Sequence, residues 1–246
     1  MIRSIAFNLF FYSFTIGIAL VSLPMLILPR IFMVHLFRVW ARAAQWGLQH
    51  IAGITIEIRG SERLTPELLA SGVIVASKHQ SMLDTIMVNL FLPDPAIVLK
   101  KELSYIPLYG WFAVRAGNLV VDREGHSNAL RKLLTQARER LAAGRPIFIY
   151  PEGTRAKAGE KNEYKPGVAA LYNQLGITCL PMALNSGLCW GPREWAKRPG
   201  HVVMEFLEPI PPGLNRRAFM ARLENEIETA SDKLIKEGRE LQRPAH

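Results

Sequence analysis

The stretch VASKHQSMLDTI, residues 75–86, decides how the rest of the chain is read. With Val73 and Ile74 before it, VIVAS (73–77) is a short apolar, β-branched run, the pattern of a buried strand. LDTIMVNLFL (83–92) is apolar and long enough for a buried helix. Between them lies a turn with His79, and Asp84 follows five positions later. At 100° per residue, that separation sets two mid-helix side chains about 140° apart, so they cannot meet on one helix. They can meet if His79 sits in the turn and Asp84 in the first helical turn. A strand-to-helix turn is a common place for a site in a sheet-based fold. A purely structural reading stands beside this one. Ser81 and Asp84 form S-x-x-D, close to a capping box, and an acidic residue is favoured at a helix N-terminus by the dipole. Spacing alone favours the structural reading, so the other segments must decide.

Outward from this stretch the pattern repeats. ITIEIRG (54–60) alternates like a half-buried strand, and strand candidates follow at 96–99, 118–121, 146–150, 178–184 and 202–207. Helix-like segments lie at 126–143 and 167–175. A charged helix over about 215–240 has Leu223, Ile227, Leu234 and Ile235 as its apolar side. Strands alternating with helices predict an α/β fold, a mostly parallel or mixed sheet covered by helices. Strand ends in such a sheet gather on one edge. LKKELSYIPLYGW (99–111) would bring Lys100 there, GNLVVDREG (117–125) Arg123, and IFIYPEGTRAKAGEKNEYKPG (147–167) Arg155 and Lys165, beside His79. TCLPMALNSG (178–187) reads as a strand broken by Pro181. Taken singly, each loop has an ordinary reading, since Lys and Arg are usually solvated and Pro-Gly pairs make turns. Cationic loops repeated after apolar strands suit a phosphate-bearing ligand, which Arg binds through two parallel hydrogen bonds.

The chain has 246 residues, a net charge of +9 and a pI near 9.8. That balance points to anionic partners: nucleic acid, phosphorylated substrates or acidic lipid. Cys179 and Cys189 form no C-x-x-C pair, and the six histidines form no metal-binding spacing, so neither a disulfide framework nor a metal is expected. From Ser4 to Pro29 there is no charged residue, a stretch long enough to cross a bilayer. Pro24 and Pro29 predict that its helix stops near Leu23. The stretch is too long for a signal-peptide core and lacks a small-x-small cleavage site. RIFMVHLFRVWARAAQWGLQHI (30–51) then mixes Arg30, Arg38 and Arg42 with Trp40 and Trp46, the composition of a membrane-surface helix. The expected division is a membrane-associating helical segment over 1–52 and a catalytic domain over 53–246. Three arginines after the apolar stretch against Arg3 before it favour the cytoplasmic side.

The motifs together resemble the 1-acylglycerol-3-phosphate O-acyltransferase family, part of the wider glycerolipid acyltransferases, over about residues 50–210. His79 and Asp84 match H-x4-D; KKELSYIPLYG with GNLVVDR matches the second block. Tyr150 to Arg155 match F-P-E-G-T-R with Tyr for Phe, and the Pro181 strand matches the fourth block. Lys78 stands where many relatives have Asn. The resemblance implies transfer of a fatty acyl group from a thioester, on coenzyme A or acyl carrier protein, to the free hydroxyl of 1-acyl-sn-glycerol-3-phosphate. The product is phosphatidic acid for phospholipid biosynthesis. His79 would be the general base and Asp84 its orienting acid. Lys100, Arg123, Arg155 and Lys165 would face the acceptor phosphate. Glu152, with Gly153 and Thr154 in the same loop, would bind substrate at the glycerol hydroxyl or orient a basic neighbour. Membrane lipids and the thioester donor are the implied partners, at the cytoplasmic face of the inner membrane. No cofactor beyond the thioester cosubstrate, no metal and no nucleic acid are expected. Another lysolipid acceptor, such as a lyso-aminolipid, is the alternative within this class. A non-catalytic lipid-binding protein, the alternative from another class, would have no need of a paired His79 and Asp84. A serine hydrolase is disfavoured, because no G-x-S-x-G elbow is present.

Overall fold

The structure of the protein, a computed structural model, describes residues 1–122 and 126–242. Two helices open the chain, α1 (Ile2–Val21) and α2 (Ile31–Gly47), joined through a 3-10 turn over Leu23–Ile27. Pro24 lacks the N–H that would continue α1, so the helix ends close to the expected Leu23. A π-type turn (Leu48–Ala52) and Gly53, at φ 73°, lead into β1 (Ile54–Arg59). There follow α3 (Pro66–Ser71), β2 (Val73–Ser77), α4 (Met82–Phe91), β3 (Ala96–Lys100), α5 (Lys101–Ser104) and α6 (Tyr109–Arg115). The remainder is β4 (Leu119–Val121), α7 (His126–Ala142), β5 (Ile147–Ile149), α8 (Gly167–Leu175), β6 (Thr178–Leu184), β7 (Gly200–Phe206) and α9 (Arg216–Leu241).

The seven strands form one sheet in the order β1-β7-β6-β2-β5-β3-β4. All neighbours are parallel except β6 and β7, so the sheet is mixed and the fold is α/β as expected. Side chains alternate between its faces. Val73, Val75 and Phe148 join α1, α2 and α4 on one side, while Ile74, Ala76, Ile147 and Ile149 join α7, α8 and α9 on the other. Pro181 does not break β6, which runs unbroken from Thr178 to Leu184. It sits between the Cys179–Ile210 bridge and the ladder to β7 that starts at Met182, where its missing N–H is tolerated.

The N-terminal helices pack on this body. Phe7, Phe11, Ala41, Ala44 and Leu48 share a buried cluster with Leu83, Ile86 and Met87 of α4. Arg30 pairs with Asp94 at 2.8 Å, and Arg38 donates to the carbonyl of Pro93, so two of the three α2-region arginines hold that segment to the protein. The opposite side of α1 is also apolar. Ile2, Ile5, Leu9, Tyr12, Ile16 and Leu20 recur at steps of three and four and are exposed. A helix apolar all round is out of place in water. This outward stripe suggests association with a membrane.

Candidate active site

The strand order assembles the site. β2 lies between β6 and β5, and all three run in the same direction, so their C-terminal ends meet at one edge. His79 leaves β2 there, Tyr150 leaves β5, and Ser186 follows β6. α4 then starts with a capping box: Ser81 is the N-cap, its side chain accepting from Leu83 N at 3.1 Å, and Asp84 reaches back to the Ser81 N–H at 2.8 Å. The same carboxylate oxygen accepts from Gln80 N at 2.7 Å and lies 3.0 Å from His79 Nδ1. Ser186 Oγ donates to its other oxygen at 2.5 Å. The capping reading of Asp84 holds, and the same carboxylate makes the contact with His79 that the catalytic reading requires. Four partners fix a carboxylate that is 2% exposed. With Nδ1 held by Asp84, Nε2 is the ring nitrogen left for a substrate.

His79 lines a cleft of about 1490 Å³. Tyr150 stacks on its ring, centroids 3.7 Å apart and planes 14° from parallel, which fixes the imidazole's tilt. The Tyr150 hydroxyl, absent from the Phe of the family pattern, meets Thr85 Oγ1 at 3.3 Å. Burial holds the His79 pKa below the usual imidazole value; Asp84 opposes this, and the Arg155 charge adds to it. Burial likewise raises the pKa of Tyr109, with Arg155 acting against it. Arg155 thus stands within electrostatic reach of both side chains.

The remaining candidates divide. Lys100, Gly153, Thr154, Arg155 and Lys165 line the same cleft as His79. Gly153 turns the loop at φ 66°, a region that favours glycine, and the loop is tied to the His79 turn by Ala156 N donating to His79 O at 2.9 Å. Lys165 is exposed and pairs with Glu163 at 2.6 Å. Arg123 lies outside the described residues.

Glu152 is a correction: it does not line the cleft, and it is 1% exposed. Its carboxylate lies 3.1 Å from Lys78 Nζ and accepts from Asn162 N at 2.8 Å. The anion is turned inward, where a lysine balances it; burial still holds its pKa above the ordinary carboxylate value. Of its two expected roles, it occupies the place of the one that orients a basic neighbour. Lys78 also meets both Glu228 oxygens of α9 at 2.8 Å, and Tyr164 donates to Glu228 at 2.9 Å. The unusual lysine before His79 is thus the centre of a buried charge cluster.

Three contributors escaped the sequence reading. Ser186 lies 102 residues from Asp84, and only the β6–β2 adjacency joins them. Glu228 was legible only as part of a charged helix. Arg193, in GPREW, lines the cleft beside Arg155 at φ 59°, and among the described residues it makes no ion pair. A cation within a Pro-Gly loop was the one available signal. Among the described residues no cluster of His, Cys, Asp or Glu suits a metal ion.

Known proteins resemble this chain in sequence and in fold. Over 163 residues the chain is 37% identical to a 1-acyl-sn-glycerol-3-phosphate acyltransferase of Pseudomonas aeruginosa, covering 66% of this chain and 62% of that protein. It is 35% identical over 158 residues to the enzyme of that name from Helicobacter pylori, covering 63% and 66%. It thus spans just under two thirds of each relative's length. Its fold matches the crystal structure of the 1-acyl-sn-glycerophosphate acyltransferase PlsC of Thermotoga maritima. There the TM-score is 0.73 at 21% identity, over 95% of this chain and 97% of that one. The acyltransferase family model matches residues 55–185, more than half of the 246 residues, and includes His79, Asp84 and Arg155. The chain belongs to the acyltransferase family.

Proposed function

We propose that this protein transfers a fatty acyl group from an acyl thioester, on coenzyme A or acyl carrier protein, to the free hydroxyl of 1-acyl-sn-glycerol-3-phosphate, forming phosphatidic acid. The observation that carries this is the His79–Asp84 contact at 3.0 Å, on a cleft that also holds Lys100, Arg155 and Lys165. The named relatives act on this acceptor, and the cationic set matches its phosphate. The cleft also has an apolar part, with Leu99, Leu103, Ile106 and Leu130, suited to an acyl chain.

In the proposed step His79 Nε2 takes the proton of the acceptor hydroxyl as its oxygen attacks the thioester carbonyl carbon. The new C–O bond forms and the C–S bond breaks. The departing thiolate takes that proton from the imidazolium and leaves as the thiol, which restores the neutral imidazole. Asp84 holds the Nδ1 hydrogen throughout and stabilises the imidazolium, as the acid of a serine-protease triad does. The substrate hydroxyl replaces a serine, so no acyl-enzyme forms. The thioester is the cosubstrate and no other cofactor enters. The product has two acyl chains, so the reaction belongs at a membrane surface. The net charge of +9 suits the anionic surface of the cytoplasmic leaflet.

The test is turnover of purified full-length protein with a panel of lysolipid acceptors against acyl-CoA and acyl carrier protein donors. Preference for the phosphorylated acceptor is expected. His79→Ala should lower turnover by roughly 10²–10⁴-fold. A folded His79→Ala protein with near-normal turnover refutes the mechanism; preference for a lyso-aminolipid refutes the acceptor.

A further inference from the structure

The segment from α5 to α6 carries apolar side chains on both sides. Phe112 and Ala116 are buried against Met25, Leu26, Met33 and Leu36 of the N-terminal segment. Trp111 and Val114, three positions apart on the opposite side of α6, are 50% and 51% exposed. Tyr105 and Ile106, in the turn before, are 66% and 44% exposed. This turn is built to one shape. Leu108 is held at φ 66°, and a Cβ on Gly110 would meet the Ser104 carbonyl oxygen at 2.2 Å. A short helix in water would show polar residues outward; this one presents tryptophan and valine.

The patch continues into the N-terminal segment. Arg115 donates to the carbonyls of Leu26 at 2.8 Å and Leu28 at 2.5 Å, fastening α6 to the 3-10 turn that ends α1. On that turn and the start of α2, Ile27 is 86%, Ile31 48% and Phe32 40% exposed. An apolar strip therefore runs from the apolar N-terminal segment onto the α/β body. It ends at the cleft, which Leu103, Ile106 and Tyr109 line. Lys100, which is exposed, lines the same cleft.

We infer that Tyr105–Val114 is a second membrane-insertion element, seated in the boundary between headgroups and acyl chains of the leaflet that α1 contacts. Tryptophan and tyrosine are favoured at that depth. Insertion turns the cleft mouth sideways into the lipid, so the acceptor enters from the leaflet and its phosphate stays at the level of Lys100. The occupant is a lipid surface: the strip is continuous with the outward stripe of α1, which has the same apolar character. The inference rests on the membrane reading of α1, and its test separates the two.

Single cysteines at Trp111, at Leu9 on α1 and at Glu139 on α7 would carry an environment-sensitive dye; Cys179 and Cys189 are buried. Full-length protein is placed in vesicles of phosphatidylglycerol and phosphatidylethanolamine with lipids brominated near the headgroup. Bromine should quench the dyes at residues 111 and 9 and spare residue 139. Quenching at 9 without 111 overturns the inference and leaves the membrane reading intact; quenching at neither removes both. A dye at 111 shielded in proportion to protein concentration, and unquenched, means a second copy covers the face and overturns the inference. Activity gives an independent arm. Trp111→Ser with Val114→Ser should raise the apparent KM for acceptor in vesicles by roughly tenfold, the loss of burying two apolar side chains. The same variant should keep its turnover on a monomeric short-chain acceptor. An unchanged KM in vesicles overturns the inference.

Discussion

At the scale of the residue, Asp84 does two jobs with one carboxylate. It closes the capping box of α4, and it aligns His79. The two can be separated by substitution. Ser81→Ala removes the hydroxyl that accepts from Leu83 and should cost about 0.5–2 kcal/mol of stability with turnover near normal, since Asp84 keeps its other donors. Asp84→Asn should lower both, because it weakens the cap and removes the imidazolium's counter-charge. Thermal melts and turnover on the same two variants read the difference. The pKa of His79 gives a second test. A general base must be neutral, so kcat/KM should fall as pH drops through the His79 pKa, which burial sets below the usual 6.5. The Arg155 cation pushes that pKa down further, so Arg155→Gln should move the acidic limb to higher pH. A limb that stays in place refutes the coupling; a limb at lower pH reverses its sign. His79 and Asp84 were legible in the sequence because their meeting depends on one local turn. Ser186 and Arg193 were not, because strand order and a distant loop bring them in.

Among the elements, the long strands and helices followed directly from periodicity. The expected 73–77 and 178–184 are β2 and β6, and the expected 167–175 is α8. The short helices α3, α5 and α6 were not legible, at 6, 4 and 7 residues. Runs that brief carry too little period to be told from loops, and tertiary packing sets them. The buried cluster around Lys78 joins three elements that no local pattern connects: the end of β2, the loop after β5 and the helix α9. Lys78→Met would leave Glu152 and Glu228 close together without their cation. Breaking a buried pair in this way costs about 3–5 kcal/mol, and a lower melting temperature in detergent should report it. Adding Glu228→Gln should recover part of the loss, because one of the two carboxylates is then neutral. The loss should also depend on pH. Burial raises the Glu152 pKa and Lys78 lowers it, so without Lys78 it rises further above the ordinary 4.5. A carboxyl group whose folded pKa is raised loses stability as pH rises above the unfolded value. The variant should therefore be closer to the native protein at pH 5 than at pH 8, and a gap that widens toward acid contradicts this account.

For the whole molecule, the issue is how a 20-residue apolar helix meets a bilayer. By length α1 covers about 30 Å and could span one. Its contacts argue otherwise, because its N-terminal half and the turn that follows it are both fastened to the α/β body. Near the N-terminus, Ser4 Oγ donates to Lys197 O and accepts from Lys197 N at 3.1 and 3.0 Å, and Asn8 Nδ2 donates to Trp195 O at 3.0 Å. Lys197 Nζ reaches Asn8 at 2.6 Å and lies over the Trp190 ring; burial lowers its pKa to about 8. At the far end, Arg115 holds the carbonyls of Leu26 and Leu28. Between them Phe7 and Phe11 are in the core. A perpendicular span would carry the sheet's loops into hydrocarbon, where their backbone groups have no partners. Lying along the surface costs nothing of the kind, since only the outward stripe from Ile2 to Leu20 meets lipid. The expected outcome is that α1 rests in one leaflet with both of its ends on the same side. Cysteines at Arg3, which is exposed on the side of Gly53 and off the outward stripe, and at Glu62, which is exposed on the α/β body, can be treated with a membrane-impermeant thiol reagent in sealed inside-out and right-side-out vesicles. Both should react in the same orientation. Reaction in opposite orientations means a true span, and would require α1 to leave the contacts at Ser4, Asn8 and Arg115. The same contacts bear on a protein beginning at Gly53. It would expose the α4 side chains Leu83, Ile86 and Met87 that α1 and α2 now help to cover, so it should aggregate or melt well below the full-length chain. A soluble, full-stability fragment would instead mean that the N-terminal helices are an anchor only.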